Sequence, residues 1–141
     1  DETEIDLYIE QFMAPLFYRS VFESVTLFSK MGYNKSAAIL ELYLSGELGN
    51  IRSMQATKGL YKTLINNASP TCKYGIANNY YNIFPKQLKN KMKNVLKKIR
   101  TGNFANDLAK EEKLNYRQTK KFINDILNNL ISKSEKNILS K

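Results

Sequence analysis

The stretch TEIDLYIEQFMAPLFYRSVFESVTLFSKM, Thr3 to Met31, decides the fold. Ile5, Ile9, Phe12, Met13, Leu16, Val21, Val25 and Phe28 recur at helical spacing and draw an apolar stripe, so the segment reads as one long helix. Pro15 lies inside the pattern, where a helix must either kink or end and restart. Gly32-Tyr33-Asn34 is a stop, with glycine at the position past the last turn that favours a left-handed backbone.

Working outward, Ser36 is expected to cap a second helix with Ala37, Leu40, Leu44 and Leu48 on one face. Gly46 and Gly49 within it each cost roughly 1 kcal/mol against alanine, which points to a close backbone approach or a local break. Asn66 to Pro70 reads as a loop, and Asn78-Asn79 as a short interruption. Pro85 opens a strong helix with Leu88, Met92, Val95, Leu96 and Ile99 on one face, closed by Thr101-Gly102. A short helix follows around Phe104–Lys113. The last one starts near Asn115 and is expected to bury Phe122, Ile123, Ile126, Leu127 and Leu130. There is no repeat and no strand pattern. The expectation is a single all-α domain over residues 1–141, a length that suits one core.

Composition narrows the chemistry. Histidine and tryptophan are absent, which removes the usual general base, the usual zinc ligands and every Ser-His or Cys-His nucleophile arrangement. The single cysteine, Cys72, allows no internal disulfide and suits a reducing compartment. No run approaches the roughly 18–20 apolar residues of a membrane span. The acidic opening Asp1, Glu2 and Glu4 is unlike a secretory leader, and a start at Asp1 suggests a processed product or a piece of something longer. Residues 1–84 carry seven Lys/Arg against eight Asp/Glu, whereas residues 85–141 carry fifteen against five. Such asymmetry can mark a nucleic-acid contact, but lysines around helices that bury their other faces are first a solvated surface, so a nucleic-acid partner is not expected.

Asp6 and Glu10 are the best chemical constellation. Residues four apart on a helix differ by about 40° around its axis, so the two carboxylates project side by side. Adjacent carboxylates repel unless a cation sits between them, and hard oxygen donors on a rigid element suit Mg²⁺. The same spacing also occurs on plain exposed helix faces.

Asp6-Leu-x-x-Glu10-Gln11, followed by a long helix and Gly32-Tyr33, resembles the start of the C-terminal domain of ketol-acid reductoisomerases. Ala38-Ile39-Leu40-Glu41-Leu42 is similar to the family helix that supplies a second set of metal-binding carboxylates. Ser69-Pro-Thr71-Cys-Lys-Tyr74-Gly75 resembles a segment whose serine contacts substrate. Met92-Lys-x-Val95-Leu-x-x-Ile99-x-x-Gly102-x-Phe104-Ala105 looks like the stretch before the closing helix. The chain also departs from the pattern. The family helix carries two glutamates four apart with a histidine just before the second, whereas here Glu41 has Ser45 at that spacing and the next acid is Glu47. Lys73 stands where the family has an acidic residue.

The resemblance implies a knotted all-helical domain, one of the exceptions to the rule against threaded chains. It implies a homodimer with shared active sites, in which Asp6 and Glu10 of one subunit meet Glu41 and Ser69 of the other. Asp6, Glu10 and Glu41 would be catalytic as Mg²⁺ ligands, Ser69 would bind substrate, and the substrate would be an acetohydroxy acid of branched-chain amino-acid biosynthesis. NAD(P)H would be held by an N-terminal Rossmann domain absent from this chain, which shows no G-x-G-x-x-G; alone, the chain should not turn over. The implied setting is the cytoplasm, or a plastid or other organelle stroma in a eukaryote. Two other readings remain open: a non-catalytic helical dimerisation domain on the same scaffold, and a basic nucleic-acid-binding helical module.

Overall fold

The structure is a computed structural model that describes residues 1–140. Among them there is no strand, and the chain is all-α as expected. The helices α1 (Glu2–Tyr8) and α2 (Ala14–Lys30) run into each other through a π-helical turn, π1 (Ile9–Met13). Here the Ala14 N–H reaches five residues back to the Ile9 carbonyl instead of four. The widened turn ends just ahead of Pro15, whose ring would otherwise strike the carbonyl one turn below and which has no N–H to give. The helix therefore crosses the proline without ending.

Gly32, at φ +85°, closes α2 as the sequence indicates. The Tyr33 N–H bonds the Phe28 carbonyl (2.9 Å) and the Gly32 N–H bonds that of Ser29 (3.2 Å), while the Phe28 and Tyr33 rings meet edge to face at 5.6 Å. This is a Schellman closure with its apolar contact. The next helix, α3 (Lys35–Ile39), is capped by Asn34, whose Oδ1 accepts the Ala37 N–H at 3.1 Å; Ser36 lies inside the helix instead of capping it. It passes into a second π turn, π2 (Leu40–Leu44), with the Ser45 N–H on the Leu40 carbonyl at 3.0 Å.

Gly46, at φ +82°, then breaks the helix, as one of the two options read from it. Gly49 has open space where its Cβ would stand, so no close approach within the chain explains it. Beyond the break come α4 (Glu47–Lys58), α5 (Leu60–Asn67), α6 (Pro70–Asn79) and α7 (Lys86–Arg100). Asn78-Asn79 ends α6 without interrupting it, and Pro85 stands just before α7, its carbonyl taking the Leu88 N–H at 3.0 Å. The last three are α8 (Asn103–Lys113), α9 (Arg117–Leu127) and α10 (Leu130–Leu139), so the single closing helix read from the sequence is in fact two.

Two compact units arise from this order. One comprises Asp1–Ile39 and the residues from Asn90 on; the other is Leu40–Lys89. In the first, α2, α3 and α10 pack together, and its buried apolar residues are Phe12, Val25, Ile39 and Val95. In the second, α4 packs on α5, and buried Thr63 donates its hydroxyl to the Gly59 carbonyl at 2.8 Å. Much of the expected core is not covered within the chain. Ile5, Ile9, Met13, Leu96, Phe122, Ile123, Ile126 and Leu127 are all exposed. The apolar stripes are where periodicity puts them, but only part of each meets another element of the same chain.

Candidate functional site

Asp6 closes the last turn of α1 and Glu10 stands in π1. Their face of the helix, with Glu2, Ile5 and Ile9, is exposed, whereas Glu4, Leu7 and Tyr8 on the other side are half-buried. Neither carboxylate has an ion-pair or hydrogen-bond partner among the described residues. By contrast, Arg19 pairs with Glu23, and Lys110 with Asp107 at 3.5 Å. Asp6 and Glu10 thus both lie on the exposed side of this helix, with no counter-charge beside them among the described residues.

The helix beside the pair holds two further polar groups. The Tyr8 hydroxyl and the Gln11 side-chain nitrogen are both shut off from solvent and have no hydrogen-bond partner. Burial pushes the Tyr8 phenol above its ordinary value. A buried donor left unpaired costs about 1–3 kcal/mol, and the Thr26 hydroxyl farther along the helix is in the same position. Periodicity gave no sign of this, since Tyr8 and Gln11 read as ordinary helix positions.

Glu41 stands in π2, exposed, and also without a partner among the described residues. Ser45, one turn on, turns its Oγ to the Glu47 N–H at 3.4 Å, and Glu47 belongs to the next helix, past the left-handed Gly46. Ser69 is the N-cap of α6: its Oγ accepts the Cys72 N–H at 3.2 Å, with Pro70 in the first turn behind it. That bond uses the oxygen as acceptor and leaves the O–H free to donate. Asp6 and Glu10 therefore belong to one unit, Glu41 and Ser69 to the other. Among the described residues no three carboxylate or thiol side chains gather into a group able to hold a metal.

The donor chemistry nonetheless fits a hard divalent cation in part. Mg²⁺ takes one or two carboxylates from a given element and fills its octahedron with water and other oxygens. Asp6 and Glu10 meet the first requirement from one rigid helix. Both Glu10 and Glu41 sit in π turns, a distortion that recurs at functional sites, and a regular-helix reading had no means of placing them there.

Comparison with known proteins bears on the chain as a whole. A family model described as "Ketol-acid reductoisomerase, C-terminal domain" matches residues 1–141. A ketol-acid reductoisomerase homologue from Saccharolobus solfataricus is 27% identical over 117 residues, which is 82% of this chain and 35% of that protein. The fold is similar to part of a solved structure of an NADH-preferring ketol-acid reductoisomerase from an uncultured archean, with a TM-score of 0.86 at 24% identity over 99% of this chain and 41% of the other. The chain thus spans well under half the length of either relative.

Proposed function

The chain belongs to the ketol-acid reductoisomerase C-terminal domain family, and on that premise we propose that it is the Mg²⁺- and substrate-binding half of an NAD(P)H-dependent ketol-acid reductoisomerase. The observation that carries this reading is the exposed, unpartnered pair Asp6 and Glu10 on one helix face. Two bare carboxylates one turn apart repel, and a cation between them would offset that repulsion. Bound there, Mg²⁺ would supply Lewis-acid polarisation of the carbonyl and hydroxyl oxygens of an acetohydroxy acid.

The chain's own residues do the rest of the work in this reading. Asp6 and Glu10 hold the cation from one subunit, and Glu41 adds a carboxylate from a second copy. Ser69 keeps its oxygen on the Cys72 N–H and offers its O–H to a substrate oxygen. The nicotinamide cofactor is assigned to a separate domain of the whole enzyme, and no residue of this chain is given a part in binding it.

A homodimer is part of this reading, because Glu41 lies outside the unit that carries Asp6 and Glu10 and a second copy would supply it. A second reading, a dimerisation domain without metal, is favoured by Ser45 at the position one turn after Glu41. Titration with 2-acetolactate separates the two. The catalytic reading expects binding that needs Mg²⁺ and disappears in Asp6→Asn. Binding that is equal with and without Mg²⁺, or absent in both, removes it.

A further inference from the structure

The described residues contain two π turns, and each carries one of the glutamates assigned above to the cation, in the same register. In π1 the Ala14 N–H reaches back to the Ile9 carbonyl, and Glu10 follows Ile9. In π2 the Ser45 N–H reaches back to the Leu40 carbonyl at 3.0 Å, and Glu41 follows Leu40. Five residues after each glutamate stands a residue that interrupts the regular helix: Pro15 after Glu10, and Gly46, at φ +82°, after Glu41. The two act by different means with one result. The glutamate's own carbonyl loses its regular donor, because the Ala14 and Ser45 N–H groups are spent one residue further back. The next residue does not replace it: Pro15 has no N–H, and that of Gly46 goes to the Tyr43 carbonyl at 3.3 Å. A helix gives up such a bond at a cost, and costly backbone of this kind clusters at functional sites.

What π1 supplies is direction. A wide turn takes in one extra residue without advancing the helix, so everything before it is displaced by one residue's step, about 100° around the axis. Helix α2 is fixed by Val25, which is fully buried, whereas α1 buries no residue that could anchor it. Helix α1 therefore points where the turn sends it, and Asp6 goes with it. We infer that Pro15 is the positioning residue for the Asp6–Glu10 pair: its ring and missing N–H exclude the regular ladder at the Gln11 carbonyl, which imposes π1, and π1 aims both carboxylates. The matching turn before Gly46 shows the same device built around Glu41 with a different residue, which a mere accommodation of proline would not produce. The inference rests on the metal-binding reading above and adds to it what sets the direction of the ligands.

Titration of the full chain with Mn²⁺, followed by electron paramagnetic resonance, tests it, together with NMR couplings across the backbone hydrogen bonds. In the wild type the Ala14 amide should couple to the Ile9 carbonyl. In Pro15→Ala, which restores an N–H and removes the ring, it should couple to the Glu10 carbonyl, and Mn²⁺ should bind at least about tenfold more weakly. Deleting the exposed Met13 from that variant takes the extra residue out, turns Asp6 and Glu10 back, and should return the affinity to within about threefold of the wild type. All three proteins should be equally helical by circular dichroism. If the wild type binds Mn²⁺ and Pro15→Ala binds it equally well, or if the Ala14 coupling stays on Ile9, Pro15 does not aim the pair and this inference falls alone. It falls alone as well if deleting Met13 restores nothing, or if Pro15→Ala unfolds, for then the proline serves the fold and not the site. A wild type that takes up no Mn²⁺ overturns the metal-binding reading and this inference together.

Discussion

The Glu111 carboxylate and Thr119 are joined twice, by the Thr119 N–H at 3.1 Å and its hydroxyl at 2.9 Å, so that a side chain of one helix serves as the N-terminal cap of the next. No residue next to the start of α9 does this, because Tyr116 occupies the cap position and its side chain makes no capping bond. The carboxylate also favours the positive end of the α9 dipole.

This cap makes α9 sensitive to acid. The Gln118 N–H, and after it the Thr119 N–H and hydroxyl, hold the Glu111 carboxyl below its ordinary value against a smaller opposing effect of burial. A lowered folded value means that the stabilisation is complete above the unfolded value, about 4.3, and is lost as pH falls through the folded one. Carbon-detected titration should find Glu111 protonating below the ordinary glutamate value, with the Gln118 and Thr119 amides shifting in step. In Glu111→Gln that coupled shift should vanish; persistence of it would mean that another group controls α9.

Ser69 has a structural duty whatever it does with substrate. Its Oγ is the cap of α6, and removing such a cap typically costs about 0.5–2 kcal/mol. Ser69→Ala should lower stability in urea by that amount, whereas Ser69→Thr should keep most of it. An alanine variant as stable as the wild type would show that the Cys72 N–H bond contributes nothing.

Helix α7 should bind nucleic acid only as a loose polyelectrolyte. Lys86, Lys89, Lys91, Lys93, Lys97, Lys98 and Arg100 are all exposed, while Val95 is buried and Leu88, Met92 and Ile99 are half-buried behind them. A helix committed on its apolar side leaves only mobile charge to offer, and such contacts release counterions and fade steeply with salt. Anisotropy with a labelled oligonucleotide should show no sequence preference and near-complete loss at physiological salt. Submicromolar binding that survives added salt would revive the nucleic-acid reading.

What was legible in the sequence was local. The Gly32 stop and the Thr101-Gly102 end of α7 each follow from a few neighbouring residues, and each stands in the structure, while the Gly46 break is one of the options that its glycine left open. Position in the helix order was less secure where two nearby residues compete: Asn34 caps α3 although Ser36 is an equally good capping type. The π turns escaped notice because the apolar spacing of Ile9–Met13 suits either a 3.6-residue turn or a wider one, and only backbone bonding tells them apart. The exposure of Phe122, Ile123, Ile126 and Leu127 was illegible for a different reason. Periodicity says which side of a helix seeks burial, not whether the chain that covers it is its own.

The central claim is that Asp6 and Glu10 form a Mg²⁺ half-site that a second copy completes with Glu41, and calorimetric titration of the wild type, Asp6→Asn and Glu41→Gln with Mg²⁺ and Mn²⁺ tests it most directly. Two carboxylates alone are poor Mg²⁺ ligands, because the ion gives up its water reluctantly. The wild type should therefore bind with an affinity that rises with protein concentration as dimers form. Asp6→Asn should lose binding while keeping or slightly gaining thermal stability, since it relieves the repulsion with Glu10, and Glu41→Gln should bind at least about tenfold more weakly. No uptake of either ion at several times physiological concentration, or an Asp6→Asn variant that binds as well as the wild type, would contradict the account and leave the dimerisation domain as the better description of this chain.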